Sequence, residues 1–260
     1  MGVARDIGAA IALLTVLPSR APEPPTARAV AWFPWVGAGL GALAWGLLVA
    51  AHAASTSWGD GAFLARAALP VSAAIVALWA ALTRFLHWDG LADVADAWWG
   101  GHDHERRLEI MADSATGAFG GTALVLAGAV QVASVAVLAP VPWAWPLLVA
   151  TPVLGRLALV FAAWLGVPAR PGGLGARIMG RPSAGSLVVA VLAAAGALAG
   201  LFVAGGALQL AWGIAGIVVA AAVPHLIAPR MGGVTGDVMG ASVLVTESAL
   251  LLIAALVVAW

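Results

Sequence analysis

Seven of the twelve acidic residues of this chain fall between positions 89 and 113. Asp89, Asp93 and Asp96 are spaced i, i+4 and i+7, which places three carboxylates on one face of a helix. Like charges at this spacing oppose helix formation by roughly a few tenths of a kcal/mol per pair, a cost that a bound divalent cation would reverse. Because Mg²⁺ and Mn²⁺ prefer carboxylate oxygens, the stretch predicts a site for such a cation rather than for Zn²⁺.

A second acidic helix is predicted after the glycine pair at 100–101, which ends the first one. Asp103 is a suitable N-cap, and the helix is expected to continue through Asp113. Glu109 and Asp113 are again four residues apart, so both carboxylates would lie on one face. Two acidic helices that face each other could hold one or two metal ions between them. The residues expected nearby as anion contacts are Arg106 and Arg107.

A glycine-rich segment at 232–240 is the second polar feature. Its glycines allow the backbone to approach a ligand, Thr235 offers a hydroxyl group, and Asp237 could bind a metal or a ribose. A tight turn between two helices would use the same glycines, so both interpretations stay open. Two further ionisable residues, Arg156 and Glu247, fall inside apolar segments. Such residues are expected to pair with each other or to contact a ligand, here a phosphate group.

The overall composition indicates a membrane protein. Hydrophobic residues make up 63% and charged residues 9% of the 260 positions, whereas soluble domains contain about 25% charged residues. The net charge is zero, which argues against a nucleic-acid partner because such proteins need a basic face. The absence of cysteine excludes disulfides, thiolate metal sites and cysteine nucleophiles. Every basic side chain is arginine, so a cationic phosphate contact has to use a guanidinium group.

The apolar segments predict an all-α fold, a polytopic membrane bundle of about seven spanning helices with short helices at the N-terminus and in the loops. Each segment is close to the roughly 20 residues that a helix needs to cross the hydrocarbon core. The apolar run at 7–17 is shorter and is expected to be an interfacial or re-entrant helix that ends at Pro18. One domain, 1–260, is expected, with an acidic loop at 84–117. The predicted spans are 29–52, 67–86, 118–139, 143–166, 186–204, 207–228 and 241–260.

The distribution of arginine predicts the orientation of these spans. Ten arginines fall on one side of the predicted membrane and Arg66 falls on the other, which is a strong positive-inside bias. We therefore expect the N-terminus and the loop at 84–117 to face the cytoplasm, and the odd span number to leave the C-terminus outside. The ten residues are Arg5, Arg20, Arg28, Arg84, Arg106, Arg107, Arg170, Arg177, Arg181 and Arg230.

Several segments form a recognisable set: FPWVG at 33–37, HWDGLADVAD at 87–96, ERRLEIM at 105–111, DSATGAFG at 113–120, Arg156, ARPGGLG at 169–175 and GVTGDVMGA at 233–241. In this order they resemble the cobalamin synthase family, the adenosylcobinamide-GDP ribazoletransferases, and the match covers nearly the whole chain. Three positions depart from the family pattern. Val16 replaces an arginine, the pair Arg84-Phe85 replaces two glycines, and Ala97 replaces a glycine. None of these changes removes an acidic residue.

The resemblance implies an enzyme that transfers adenosylcobinamide phosphate from adenosylcobinamide-GDP to α-ribazole or α-ribazole 5′-phosphate, with release of GMP and a requirement for Mg²⁺. A carboxylate cluster beside arginines suits such an attack on a phosphoanhydride. The expected metal ligands are Asp89, Asp93 and Asp96, together with Asp113, Glu109 and Asp237. The expected base for the ribazole 5′-hydroxyl is Asp89 or His87, although a lone loop histidine is more often a surface residue. The expected phosphate contacts are Arg106, Arg107, Arg230, Thr235 and Arg156.

Two alternatives come from other functional classes. A lipid phosphotransferase of the CDP-alcohol type would share the start Asp89-Gly90, but the chain lacks the arginine and the later acidic spacing of that motif. A transporter would place its acids at mid-bilayer in broken helices, whereas only Glu247 is expected at such a depth here. The partners implied by the resemblance are the two substrates and the lipid bilayer of the bacterial cytoplasmic (inner) membrane, with no nucleic acid. A homo-oligomer is compatible with the sequence, which does not determine the number of copies.

Overall fold

The computed structural model describes residues 2–19, 26–170 and 172–260, and the fold is all-α as predicted. Arg20, one of the arginines used to predict the orientation, lies outside the described residues. The helices are α1 (Gly2–Leu14), α2 (Phe33–Trp58), α3 (Phe63–Arg66), α4 (Ala68–Leu82), α5 (Leu86–Gly100), α6 (His104–Ile110), α7 (Ala118–Leu138), α8 (Trp145–Leu165), α9 (Leu174–Ile178), α10 (Ala184–Ile227) and α11 (Gly236–Ala259). Short 3₁₀ helices occupy Ala29–Trp32, Pro142–Ala144 and Ala228–Met231.

Five helical segments of the described ranges are long and apolar enough to cross a membrane. One of them contains α10, whose 44 residues are about twice the length that one crossing requires. α10 is interrupted at Gly206, where the backbone is not helical (φ 62°). The side chains of Leu198 and Leu201 lie against Gly213, so the two halves fold back on each other as a hairpin. The five segments are Ala29–Trp58, Ala118–Leu138, Pro142–Leu165, Ala184–Met231 and Gly236–Ala259. The halves of α10 correspond to the two spans predicted at 186–204 and 207–228.

The predicted span at 67–86 is shorter in the structure, because α4 ends at Leu82. α4 and α5 meet the length requirement only together, and their axes differ by 88°. The acid-bearing helix α5 therefore runs across the end of α4 and lies outside the five spans. At the bend, Arg84 and Phe85 have φ values of 54° and 56°. The left-handed region costs an ordinary residue about 1–2 kcal/mol, so glycine would be less strained at both positions.

Other predicted boundaries also need correction. α1 ends at Leu14 rather than at Pro18, and the guanidinium of Arg84 donates to the carbonyl of Ala12 at 2.7 Å. The last span begins at Gly236 instead of 241. α6 begins after Asp103 as predicted, but it ends at Ile110, so Glu109 and Asp113 do not share one helix.

The packing of α2 against α8 depends on glycine spacing in the FPWVG segment. A methyl group at Gly37 would overlap the backbone of Pro152, and one at Gly41 would overlap the backbone of Val149. Gly39, between them, meets no atom within 4 Å. Two glycines four residues apart therefore form the contact face, as in other closely packed membrane helices. This contact supports α8, which lies at the centre of the bundle and is buried along most of its length.

Gly37→Ala is expected to destabilise the protein by about 1–3 kcal/mol, because the added methyl forces α2 away from α8. Gly39→Ala is the matched control and should leave stability unchanged or slightly higher. The measurement is the thermal unfolding midpoint of each variant in the same detergent. Equal midpoints for the two variants would show that α2 and α8 are not packed through Gly37.

Candidate functional site

The acid-bearing helix α5 packs closely on α11, and glycines make this approach possible. A methyl group at Gly90 would stand 2.7 Å from the carbonyl oxygen of Asp237, and one at Gly240 would stand 3.1 Å from that of Leu86. The two helix backbones are thus nearly in contact. The contact brings together residues of the 87–96 segment and of the 233–241 segment, which are about 145 positions apart in the chain.

This contact gathers acidic side chains of both helices. Burial raises the pKa of Asp93 from 3.8 to about 7, and the negative charges of Asp237 and Asp89 add to the shift. Asp96 contributes in the same direction with a smaller effect. Asp93 is therefore at the centre of a cluster in which several carboxylates repel one another. A cation placed among them would remove that repulsion.

The described residues contain no group of three or more His, Cys, Asp or Glu side chains arranged closely enough to hold a metal ion by themselves. The donor chemistry nevertheless fits Mg²⁺. This ion usually takes one or two protein carboxylates and completes its coordination with water and substrate phosphates. The cluster of Asp89, Asp93 and Asp237 offers oxygen donors of this kind.

Asp96 has a different environment from its two neighbours on α5. One carboxylate oxygen accepts the backbone N–H of Gly117 at 2.7 Å, and the other accepts that of Gly120 at 2.9 Å. Both N–H groups belong to the first turn of α7, where unpaired donors and the helix dipole favour a negative charge. Asp96 is buried and caps α7 from outside that helix. The sequence spacing predicts its presence on the acidic face but contains no signal for this contact.

Thr235 caps the helix that carries Asp237. Its hydroxyl oxygen accepts the backbone N–H of Val238 at 3.1 Å and lies 3.4 Å from a carboxylate oxygen of Asp237. The preceding residue, Val234, forms backbone hydrogen bonds with Val167 at 2.7 Å and Ala169 at 3.1 Å. The pairing fixes the neighbouring Arg170 near Asp237. The glycine-rich segment is therefore both a turn and a wall of the site, so the two interpretations left open by the sequence are compatible.

A cavity of about 320 Å³ lies beside Asp237. Its polar side is formed by Arg170, Thr235 and Asp237. His87 lies in its wall and is only 3% exposed, contrary to the expectation of a surface histidine. The apolar part of the wall includes Leu13, Leu14, Phe33, Leu108, Met111 and Ile178. Local sequence patterns did not predict that Leu13 and Leu14 of the N-terminal helix α1 line this cavity.

A second cavity, of about 450 Å³, lies between α4, α5 and α7. Asp89 lines it together with Trp88 and Thr116. The acidic residues of the cluster thus border two cavities, with Asp89 on one and Asp237 on the other. Such an arrangement suits a reaction that joins two substrates.

The arginines predicted as phosphate contacts form intramolecular contacts. Arg106 pairs with Glu109 at 2.9 Å, and Arg107 donates to the carbonyl of Gly101 at 3.0 Å. The guanidinium of Arg230 stacks on Trp98 at 4.5 Å, while its carbonyl accepts a hydrogen bond from Arg107. These contacts tie α6 to the 3₁₀ helix at Ala228–Met231. Asp103 caps α6 as predicted, and the backbone N–H of Arg106 lowers the pKa of that carboxyl.

The two charged residues inside the spans pair with each other. Arg156 of α8 donates to Glu247 of α11, and both side chains are almost fully buried. This outcome favours the ion pair over a phosphate contact, the other partner considered for Arg156. Asp113, another predicted metal ligand, lies in the exposed turn after α6, where its carboxylate accepts the N–H of Ala115 at 3.0 Å.

Comparison with known proteins gives a consistent family assignment. The family described as "Cobalamin-5-phosphate synthase" matches residues 6–255. An adenosylcobinamide-GDP ribazoletransferase of Syntrophobacter fumaroxidans is 44% identical over 72% of this chain and 74% of its own length. Proteins of the same name from Stutzerimonas stutzeri and Frankia casuarinae are 39% and 34% identical, and each alignment covers at least 93% of both chains. No solved structure matches this chain.

Asp93→Asn and Asp96→Asn are expected to change stability in opposite directions in metal-free protein. The pKa of Asp93 is raised, so its ionisation destabilises the fold progressively as pH rises from about 4 to about 7 and fully above that range. Asp93→Asn should therefore raise the unfolding midpoint by roughly 2–4 °C at about pH 8 and have little effect at about pH 4.

Asp96→Asn should lower stability by about 1–3 kcal/mol near neutral pH, because an amide cannot accept both N–H groups of α7. Thermal unfolding in detergent with excess chelator measures both effects. If Asp93→Asn destabilised the protein at about pH 8 as Asp96→Asn does, the proposed difference between the two carboxylates would be wrong.

Proposed function

The chain belongs to the cobalamin-5-phosphate synthase family and is a transferase of cobalamin synthesis, and we propose that it moves adenosylcobinamide phosphate from adenosylcobinamide-GDP to α-ribazole or its 5′-phosphate. The observation that carries this proposal is the cluster of Asp89, Asp93 and Asp237 at the contact of α5 and α11, bordered by two cavities. Family membership sets aside the CDP-alcohol phosphotransferase and the transporter.

The chemical step is a displacement at phosphorus. The attacking group has to be a ribose 2′- or 3′-hydroxyl rather than the 5′-hydroxyl expected from the sequence, because the 5′-oxygen is already esterified in α-ribazole 5′-phosphate. This oxygen attacks the phosphorus on the cobinamide side of the pyrophosphate, and the anhydride bond to GMP breaks. The hydroxyl proton passes to a base, for which Asp89 and His87 are the candidates. GMP leaves with the electron pair of the broken bond, so the phosphate that was attached to cobinamide now joins it to the ribazole.

Mg²⁺ is the proposed cofactor, bound by one or two carboxylates of the Asp89, Asp93 and Asp237 cluster together with water and substrate phosphates. When bound, it would neutralise charge on the phosphate oxygens and on the leaving GMP. The carboxylates of the chain contribute the negative field that attracts the cation. Arg170 stands at the polar side of the cavity, where its guanidinium can contact a phosphate group. Asp96, which caps α7, acts in this proposal as a support for α5 rather than as the main ligand.

We propose that α4 carries the chain back across the membrane and that the site opens toward the cytoplasm, because ten of the twelve arginines then fall on that side. The protein would then lie in the bacterial cytoplasmic membrane, where soluble phosphorylated substrates can reach the acidic cluster from the cytoplasm.

Replacement of any one of Asp89, Asp93 and Asp237 by Asn should reduce Mg²⁺-dependent GMP release by about 100-fold or more, because each removes a charge from the reacting centre. The matched control is Asp60→Asn, which removes an exposed carboxylate paired with Arg66 and should keep near-parental activity. The assay uses purified protein in detergent with adenosylcobinamide-GDP and α-ribazole. Near-parental rates in all three variants would contradict the metal assignment.

Labelling of single cysteines tests the orientation, since the chain has no cysteine of its own. We expect Ser57→Cys, at the end of α2, to react with a membrane-impermeant maleimide on intact spheroplasts. His102→Cys, an exposed position between α5 and α6, should react only after the membrane is opened. Reaction of both positions on intact spheroplasts would place the acidic cluster on the outer side of the membrane and contradict the proposed orientation.

A further inference from the structure

His87 is a buried polar side chain that makes no side-chain hydrogen bond within the described part of the chain. It is 3% exposed, and within the described part of the chain neither of its ring nitrogens has a hydrogen-bond partner. Buried polar groups are nearly always paired, so an unpaired imidazole points to a ligand or an ordered water. The ring lies in the wall of the cavity beside Asp237. In either protonation state an imidazole offers at least one N–H donor.

The rest of the cavity has a clear division between apolar and polar parts. Leu14, Phe33 and Met111 belong to its apolar wall and are themselves buried, while Arg170, Thr235 and Asp237 stand together on its polar side. Thr235 and Asp237 are already engaged with each other and with the first turn of α11. His87 is the remaining polar side chain among the described residues that line the cavity, and it makes no hydrogen bond within the described part of the protein. An occupant that suits this cavity is largely apolar, accepts one hydrogen bond, and carries a polar group at one end.

We propose that this cavity holds the base of the acceptor nucleoside, and that His87 donates a hydrogen bond to the free ring nitrogen of that base. The inference rests on the proposed function, which supplies a dimethylbenzimidazole riboside as the acceptor. A benzimidazole attached to ribose has one acceptor nitrogen, no donor and a large apolar surface. The ribose then extends toward Asp237 and Arg170, so its ring hydroxyls lie on the side of the acidic cluster.

The other groups of the reaction fit this cavity poorly. Guanine carries several donors and acceptors on its edges, and most of them would stay unpaired against the apolar wall, which is unfavourable. The corrin ring system is much larger than a cavity of about 320 Å³. We therefore place guanine and the corrin ring outside this cavity. The second cavity, which Asp89 lines, lies on the other side of the acidic cluster.

The hydrogen bond can be isolated by a cycle that changes one atom of the ligand and one residue of the protein. The ligands are dimethylbenzimidazole riboside and the corresponding indole riboside, in which a C–H group replaces the acceptor nitrogen. The proteins are the parental chain and His87→Leu. Dissociation constants are measured by calorimetry in detergent, without the corrinoid substrate, and guanosine is titrated in parallel.

The parental protein should bind the benzimidazole riboside about tenfold more tightly than the indole riboside, the factor expected for one hydrogen bond. His87→Leu should bind the two ligands equally, and guanosine binding should not differ between the two proteins. A tenfold preference that persists in His87→Leu, or its absence in the parental protein, would overturn the assignment.

A second pair of variants tests the cavity without changing His87. Ala176→Phe places a ring in the cavity wall, and Ala184→Phe makes the same change at an exposed position outside it. Ala176→Phe should raise the Michaelis constant for the riboside at least tenfold and leave that for adenosylcobinamide-GDP near the parental value. Equal constants in both variants would place the base elsewhere.

The two proposals fail in different ways. If the parental protein releases no GMP with any acceptor, the proposed function is wrong, while riboside binding still tests the cavity. If GMP release is normal and the riboside constants do not respond to His87→Leu or Ala176→Phe, the function stands and the cavity assignment is wrong.

Discussion

The close contact of α5 with α11 is the constraint on which the site depends. Gly90 and Gly240 remove the side chains that would separate these helices, and Asp89, Asp93 and Asp237 meet as a result. Contacts of α11 with α8, and of α8 with α2, hold α11 in place against α5. Arg156 and Glu247 join α8 to α11 inside the protein, and α2 packs on α8 through Gly37 and Gly41. In lipid, where helices gain little from the hydrophobic effect, backbone proximity and buried polar pairs of this kind provide much of the association.

The acidic cluster also lowers the stability of the folded protein. Carboxylates that repel one another in a half-buried place raise the free energy of the folded state, and the raised pKa of Asp93 expresses that repulsion. Asp96 shows how the same residue type can have the opposite effect, since its carboxylate accepts two N–H groups at the start of α7. One helix face therefore holds a carboxylate that supports the fold beside carboxylates whose mutual repulsion opposes it.

Much of this organisation could be predicted from the sequence. Apolar length predicted the long helices that can cross a membrane, and the spacing of the acids predicted that Asp89, Asp93 and Asp96 lie on one helix. The functional class followed from the resemblance of several segments to one family. Local patterns could not reveal contacts between distant segments, such as Asp96 with Gly117 or α1 with the cavity. They also misjudged the bend between α4 and α5, because Arg84 and Phe85 adopt left-handed backbone conformations that side chains of their type rarely enter. The burial of His87 follows from the contact of α5 with α11, which no single segment encodes.

The interruption of α10 at Gly206 has a consequence for how the chain enters the membrane. The segment Ala184–Ile227 contains no Asp, Glu, Lys or Arg, and the turn between its halves consists of glycine and apolar residues. The energetic barrier to carrying a loop through lipid comes mainly from its charges. The hairpin can therefore be inserted as one unit during biosynthesis, with both of its ends on the same side of the membrane. Its orientation is then decided by the arginines of the flanking loops, Arg181 before it and Arg230 after it.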